Sequence, residues 1–297
     1  MTLFKTTDVV NVNEKVSEFI APREDPSVYP GKRLSYSYLT DGTNIYRIKF
    51  DDGDITRGIV YFEGKWRDLS DILKELKSEN LVKRYPVLAY GSNASPGQLS
   101  YKFKNKASQV VLVLKGSLMD FDIIYGAKFI VGTIPAILVH STKTNVECWI
   151  NLLDEDQLQV MNESEQLGED YSLGIFDSFQ TDFGKVIKAY GYVGLMRGYK
   201  NEHGEFVALN EIKAINRKYL ENSQVGIIQE IMNRSEIRRF TSRFGINDIQ
   251  EFMVKLRDDI KFSDDINKIL NQKYASSVEI RVPRVSSQNL SRFEEFI

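Results

Sequence analysis

The sequence predicts an α+β protein built from three successive parts. A β-rich module is expected over residues 1–84, a mixed region of strands and short helices over 85–200, and a helical module over 201–297. The first part shows short alternating runs between Asp-Gly turn signals, and the second alternates apolar runs with helical patterns. The third carries apolar residues at spacings of three and four, which is typical of amphipathic helices.

The first part contains the hairpin signals. Its alternating runs are separated by the turn sequences TDGTN, DDGD and EGKW, and they read YSYL, IYRIKF and ITRGIVYF. Asp-Gly turns between such runs favour antiparallel hairpins. After Trp66, the segment DLSDILKELKSEN has apolar residues at helical spacing and predicts an amphipathic helix.

The central part begins with the strand VLAY, and Pro96 is suited to the first position of a following helix. Four further β-rich runs follow: QVVLVLKGSLMDFDIIYG, TIPAILVH, VECWINLL and VIKAYGYVGLM. Between the last two lies DEDQLQVMNESEQLG, which predicts a helix over residues 154–167 with Gly168 placed to end it.

From about residue 205 the pattern indicates helices, over EFVALNEIKAINRKYLENSQVGIIQEIMNRSEIRRF and DIQEFMVKLRDDIKF. A basic run accompanies them, and its residues are Arg234, Arg238, Arg239 and Arg243. We interpret this run as a solvated helix face with its phenylalanines packed inward, rather than as a phosphate or nucleic-acid contact.

Composition excludes several classes of function. The net charge is −2, from 41 acidic and 39 basic residues, so no overall attraction to nucleic acid or anionic membrane is expected. Cys148 is the single cysteine, and no run approaches the ~20 apolar residues that span a bilayer. We therefore expect a soluble cytoplasmic protein without disulfides, and with only two histidines a metal site is not expected.

The stretch VLAYGSNASPGQL, residues 87–99, is the first candidate site. A strand that ends in Gly91, Ser92 and Asn93 just before a helix forms a small nest of backbone N–H groups. Such a nest favours an anion or a developing oxyanion. On its own the turn is a weak signal, because Gly-Ser-Asn turns are common in proteins.

Glu165 is the second candidate. At about 100° per residue it lies within about 20° of Leu158 on the apolar face of the predicted helix, whereas Glu163 should face water. An acid on an apolar face is either an ion-pair partner or a functional group. Burial and the negative end of the helix are expected to raise its pKa toward the range of a general base.

Together these features resemble the γ-glutamylcyclotransferase-like family, whose hallmark is a strand ending in Tyr-Gly-Ser-Asn and a downstream glutamate. The resemblance covers about residues 85–196 and rests on Tyr90 to Asn93, on Pro135-Ala136, on the strand Val146 to Leu153, on Met161 to Glu165 with Tyr171, and on VIKAYGYV. It implies a mixed, barrel-like sheet with short helices.

The resemblance also implies a function. Tyr90, Gly91, Ser92 and Asn93 would form the pocket for a small γ-glutamyl substrate, and Glu165 would act as the base in a cyclisation that releases an amine and 5-oxoproline, with no metal or cofactor. The alternative is a non-catalytic interaction or inhibitor protein that reuses this fold, with the flanking modules serving a protein partner or a homo-oligomer. A serine hydrolase is disfavoured, because Ser92 is not in a nucleophile elbow and His140 lies in an alternating strand.

Overall fold

The computed structural model describes residues 14–51, 54–105 and 108–296. Sixteen strands are found in this part of the chain: β1 Glu14–Lys15, β2 Tyr38–Thr40, β3 Asn44–Asp51, β4 Asp54–Phe62, β5 Lys65–Asp68, β6 Tyr85–Ala89, β7 Val111–Tyr125, β8 Ala136–Leu153, β9 Tyr171–Thr181, β10 Val186–Gly194, β11 Gly198–Tyr199, β12 Val207–Leu209, β13 Ala214–Ile215, β14 Leu220–Asn222, β15 Ala275–Ser276 and β16 Arg284–Val285. Seven α-helices accompany them: α1 Leu69–Glu75, α2 Pro96–Phe103, α3 Glu155–Ser164, α4 Gln224–Met232, α5 Ser235–Thr241, α6 Ile249–Asp258 and α7 Ile260–Lys273.

The centre of the fold is a closed, five-stranded, barrel-like sheet. The hydrogen-bonded order is β6–β10–β9–β7–β8, and β8 also pairs with β6, which closes the ring. The pair β6/β10 is parallel and the other pairs are antiparallel. The predicted mixed, barrel-like α+β fold is therefore confirmed.

Alternation along the strands separates two sets of buried side chains. Leu88, Leu114 and Ile150 belong to one apolar cluster, whereas their neighbours Val87, Val113 and Trp149 belong to another. The second cluster also holds the apolar faces of α2 and α3, since Leu99, Phe103, Leu158 and Met161 pack there. This period-two pattern is what a small barrel with helices on its outside requires.

The N-terminal part extends the barrel sheet. β2 pairs with β7, and β3, β4 and β5 follow in antiparallel order. The predicted hairpins and the helix α1 are thus confirmed, while residues 52 and 53 of the predicted DDGD turn lie outside the described residues. The division into parts ending at residues 84 and 200 stays a prediction.

The prediction of helix over residues 205–240 is wrong for about its first half. Val207–Leu209, Ala214–Ile215 and Leu220–Asn222 are short strands, and the helices begin at Gln224. Ala208 pairs with Ile124 of β7, and Leu209 and Ile212 are fully buried. Apolar residues three apart also suit short strands joined by turns, so pairing with the barrel overrode the helical pattern.

The C-terminal helices hold the loop between β7 and β8. Asn267 of α7 accepts a hydrogen bond from Phe129 N (2.6 Å) and donates to Phe129 O (3.1 Å), and Asn271 donates to Ala127 O (3.2 Å). Amide side chains that pair with backbone groups in this way hold the loop against α7. Among the described residues, no helix is long and apolar enough to cross a membrane.

Candidate active site

The first wall of the candidate site is the turn between β6 and α2. β6 ends at Ala89, Tyr90 is buried, and its hydroxyl donates to Tyr192 O at 2.7 Å. A 3-10 turn over Ser92–Ala94 follows, and α2 begins at Pro96 as expected. The first N–H groups of such a turn have no acceptor within it.

Gly91 allows a close approach at this point. A Cβ atom there would lie 3.1 Å from Tyr29 Oη and 3.5 Å from the Cβ of Ala136. The Tyr29 hydroxyl in turn accepts the backbone N–H of Ala136 at 2.7 Å. The missing side chain therefore lets the turn, the N-terminal segment and the start of β8 meet.

The second wall is the end of α3. Asp154 and Gln157 form a capping box at its start, and Leu158 and Met161 are buried. The helix ends at Ser164 rather than at 167, because Gln166 adopts a left-handed backbone with φ 50°. The expectation that Gly168 ends the helix is therefore wrong, although Glu165 still follows the buried face.

Glu165 points inward and Glu163 outward, as the helical phase predicts. The Glu165 side chain is 16% exposed, whereas Glu163 is exposed at the rim and accepts a hydrogen bond from Gln159. Asn93 Nδ2 donates to Glu165 Oε1 at 3.1 Å. The turn and the helix end thus meet directly.

Lys102 of α2 forms a buried ion pair with Glu165. Its side chain is 4% exposed, and Nζ also lies 3.3 Å from the sulfur of Met161. Sequence reasoning missed this residue. A signal existed, since Lys102 follows Leu99 by three positions and so lies near the apolar side of the predicted helix.

The expected rise in the pKa of Glu165 is wrong. Burial does raise it, but the charge of Lys102 and the hydrogen bonds from Lys102 and Asn93 outweigh burial and hold the pKa below its ordinary 4.5. Burial in turn lowers the pKa of Lys102, against the attraction of Glu165. The prediction from the helix end failed because a lysine in direct contact changes the pKa of a carboxylate more than the partial charge of a helix dipole does.

These groups line one cavity of about 540 Å³. Tyr90, Gly91, Ser92 and Asn93 border it together with Glu165, as the sequence predicted. Further polar and aromatic lining comes from other parts of the chain, and includes Arg23, Tyr29, Lys102, Thr133, Tyr171 and Tyr192. Burial raises the pKa of Tyr29, Tyr90, Tyr171 and Tyr192, so their hydroxyls are neutral at physiological pH.

The other candidate groups lie elsewhere. His140 is exposed on β8, and Cys148 is buried with its pKa raised by burial, so it does not act as a thiolate. Arg234 pairs with Glu230 and contacts the Tyr199 hydroxyl. None of these three borders the cavity.

Comparison with known proteins gives distant structural similarity only. No family model matches the sequence, and no curated protein matches it. A solved structure described as gamma-glutamyl cyclotransferase is 14% identical with a TM-score of 0.34, over 63% of this chain and 98% of that one. An uncharacterized protein from Homo sapiens (14%, TM-score 0.33, 63% and 98%) and a protein from Arabidopsis thaliana (15%, TM-score 0.31, 60% and 93%) are similar to the same degree. Similarity at this level carries no argument about activity.

Proposed function

We propose that the protein is a γ-glutamylcyclotransferase-like enzyme, which converts a γ-glutamyl amine or peptide into 5-oxoproline and the free amine. One observation carries the proposal: the Glu165 carboxylate and the Tyr90–Asn93 turn border the same cavity and are hydrogen-bonded to each other. A buried acid beside a turn rich in N–H groups is the pair of elements that an intramolecular aminolysis needs.

The reaction starts at the α-ammonium of the substrate. Glu165 accepts one of its protons, and the freed amine nitrogen attacks the γ-carbonyl carbon of the same molecule to close a five-membered ring. The carbonyl electrons move to oxygen, and N–H groups of Gly91 and Ser92 stabilise the resulting oxyanion. Glu165 returns the proton to the leaving nitrogen, the old C–N bond breaks and the carbonyl reforms. The ring nitrogen then gives up its second proton, which the released amine takes up to leave as an ammonium ion, and a neutral lactam nitrogen remains in 5-oxoproline. Nucleophile and electrophile belong to one molecule, so proximity supplies much of the rate.

Lys102 compensates for the low pKa of Glu165. A carboxylate held below its ordinary pKa is a weak base for an ammonium group. However, a substrate ammonium at Glu165 is close to a second cation, Lys102, and a like charge lowers the pKa of an ammonium group. Lys102 thus offsets the rise in the pKa of the substrate ammonium that the Glu165 carboxylate causes, while it keeps the base ionised and in position.

The test is release of 5-oxoproline from a panel of γ-glutamyl amines, γ-glutamyl amino acids and γ-glutamyl peptides, followed by chromatography. Turnover of at least one class, with the amine and 5-oxoproline formed in equal amounts, is the expected result. If none of the panel yields 5-oxoproline, the enzymatic proposal is wrong and a non-catalytic role for the cavity replaces it.

A further inference from the structure

Arg23 reaches the cavity from outside the region that carries the family resemblance. It lies in the N-terminal segment, is half-buried, and lines the cavity. Its Nη2 donates to the carbonyl of Ser164 at 3.3 Å, and its backbone N–H donates to Gln98 Oε1 at 3.4 Å. These contacts place its guanidinium beside the end of α3, next to Glu165.

In the part of the chain that the structure describes, three carboxylates line the cavity; two are paired with lysines, and the third, Glu163, lies exposed at the rim and accepts a hydrogen bond from Gln159. Glu165 pairs with Lys102, and Asp170 pairs with Lys128. Within the described ranges, no carboxylate lies within ion-pair distance of Arg23. A guanidinium offers five N–H donors in a planar fork that matches a carboxylate, so Arg23 has donors left for an anionic ligand.

Arg23 is also close enough to act on both members of the buried pair. Its charge lowers the pKa of Glu165, after the larger effects of burial, Lys102 and Asn93, and it lowers that of Lys102 as well. Its guanidinium, which contacts the carbonyl of Ser164 and lines the cavity, therefore lies near the point where the α-ammonium of a substrate would meet Glu165. In an α-amino acid the ammonium and the carboxylate are bonded to one carbon, so their partners must be neighbours.

We propose that Arg23 binds the α-carboxylate of the substrate and thereby restricts the cavity to γ-glutamyl compounds in which this carboxylate is free. The inference rests on the proposed function. It separates two chemical classes that share the reacting groups. A peptide that begins with glutamine also has an α-ammonium and a γ-carbonyl, but its α-carboxyl is locked in a peptide bond and offers Arg23 no charge. Such peptides are excluded by this assignment.

The experiment compares L-glutamic acid γ-anilide with its α-carboxamide, which differs only in the group that faces Arg23. Wild-type protein should favour the carboxylate form by about 10- to 150-fold in kcat/KM, the range of a hydrogen bond to a charged group. Arg23→Gln should lose this factor for the carboxylate form and leave the carboxamide unchanged, and Arg23→Lys should keep part of it.

Arg257→Gln is the matched control. Arg257 donates to the carbonyl of Glu24, the residue after Arg23, yet it pairs with Asp258 and does not line the cavity. Its replacement should leave the preference for the carboxylate form unchanged. The role of Arg23 would be overturned if the wild type had the same kcat/KM for both compounds. It would also be overturned if Arg23→Gln lowered kcat/KM for both compounds by the same factor. In either case the cyclotransferase proposal would still stand.

Calorimetric binding of the same two compounds separates the two proposals if no turnover occurs. Binding that needs both the carboxylate and Arg23, without any 5-oxoproline, would support the Arg23 site and reject the reaction. If neither compound binds the wild type, both proposals are wrong.

Discussion

Asn93 and Glu165, which lie 72 positions apart in the chain, are joined by a hydrogen bond of 3.1 Å between Nδ2 and Oε1. The bond crosses from the first turn after β6 to the residue that follows α3. Asn151 Nδ2 in turn donates to the backbone carbonyl of Asn93 at 2.9 Å, so the turn is tied to β8 as well. The carboxylate is therefore oriented by groups that the barrel itself positions, which is the support that a general base needs.

Glu165→Gln should reduce kcat by ~10²- to 10⁴-fold, because the amide has nearly the same size as the carboxylate but cannot accept the α-ammonium proton. Steady-state release of 5-oxoproline measures the loss, and circular dichroism checks that the fold is kept. Glu169→Gln is the control, since Glu169 is exposed and does not line the cavity. Equal losses in both variants would show that another group is the base.

Lys102→Met should move the acid limb of the kcat/KM profile to higher pH. In the wild type the pKa of Glu165 lies below 4.5, so the carboxylate is ionised above that pH and lost only as the pH falls through this lowered value. Without Lys102, burial is no longer outweighed by a neighbouring positive charge, and the pKa of Glu165 rises. The measurement is the pH dependence of kcat/KM in both proteins.

Lys104→Met provides the matched control for that profile. Lys104 follows Lys102 by two residues, is exposed, and lies over the ring of Tyr101 rather than against a carboxylate. Its acid limb should coincide with that of the wild type. An unchanged limb in Lys102→Met would contradict the assignment of the acid limb to Glu165.

The parts of the site that depend on local sequence could be predicted. A buried strand, a Gly-Ser-Asn turn and Pro96 define β6, the turn and α2 without knowledge of the rest of the chain, and helical phase alone separates Glu165 from Glu163. What the pattern could not supply is the identity of the cation that meets the acid. Lys102 and Glu165 are 63 residues apart, and only the packing of α2 against α3 brings them together.

The fold shows the same limit. The hairpins of the first part and the strands of the barrel follow from alternation and turn chemistry. The strands at Val207–Leu209 and Leu220–Asn222 do not, because they are three residues long and exist through pairing with each other and, at Ala208, with β7. The place of Arg23 in the cavity could not be predicted either, because nothing in its neighbouring residues indicates that this segment packs against α2.

Tyr29→Phe should lower the free energy of unfolding by about 1–3 kcal/mol. The change removes the hydroxyl that accepts the N–H of Ala136 and leaves this buried donor unsatisfied. Chemical denaturation measures the effect, with Tyr61→Phe as control, because the Tyr61 hydroxyl has no hydrogen-bond partner among the described residues. Equal stabilities of the two variants would show that the Tyr29 contact contributes nothing.

Gly97→Ala tests whether the segment that carries Arg23 is held against α2. At an open helical position this change stabilises a protein by about 1 kcal/mol, because alanine is the better helix former. Here a Cβ atom would lie 2.0 Å from the carbonyl oxygen of Phe19, so either the helix or the segment must move. We expect destabilisation by about 1–3 kcal/mol, the usual cost of overpacking. We also expect a reduced preference for the free α-carboxylate, because Arg23 lies four residues beyond Phe19.

Ser100→Ala is the control that separates a loss of stability from a loss of the preference for the free α-carboxylate. Ser100 lies on the same helix and donates to the carbonyl of Gly42 at 3.1 Å, so its loss should cost about 1 kcal/mol without moving Phe19. Stability is measured by denaturation and the preference by kcat/KM for the γ-anilide and its α-carboxamide.

If Gly97→Ala is stabilising, the close approach of Phe19 to α2 is wrong. If it destabilises the protein yet keeps the full preference, the position of Arg23 does not depend on this contact, and the cavity-lining segment is held in place by its contacts to Gln98 and Ser164 instead.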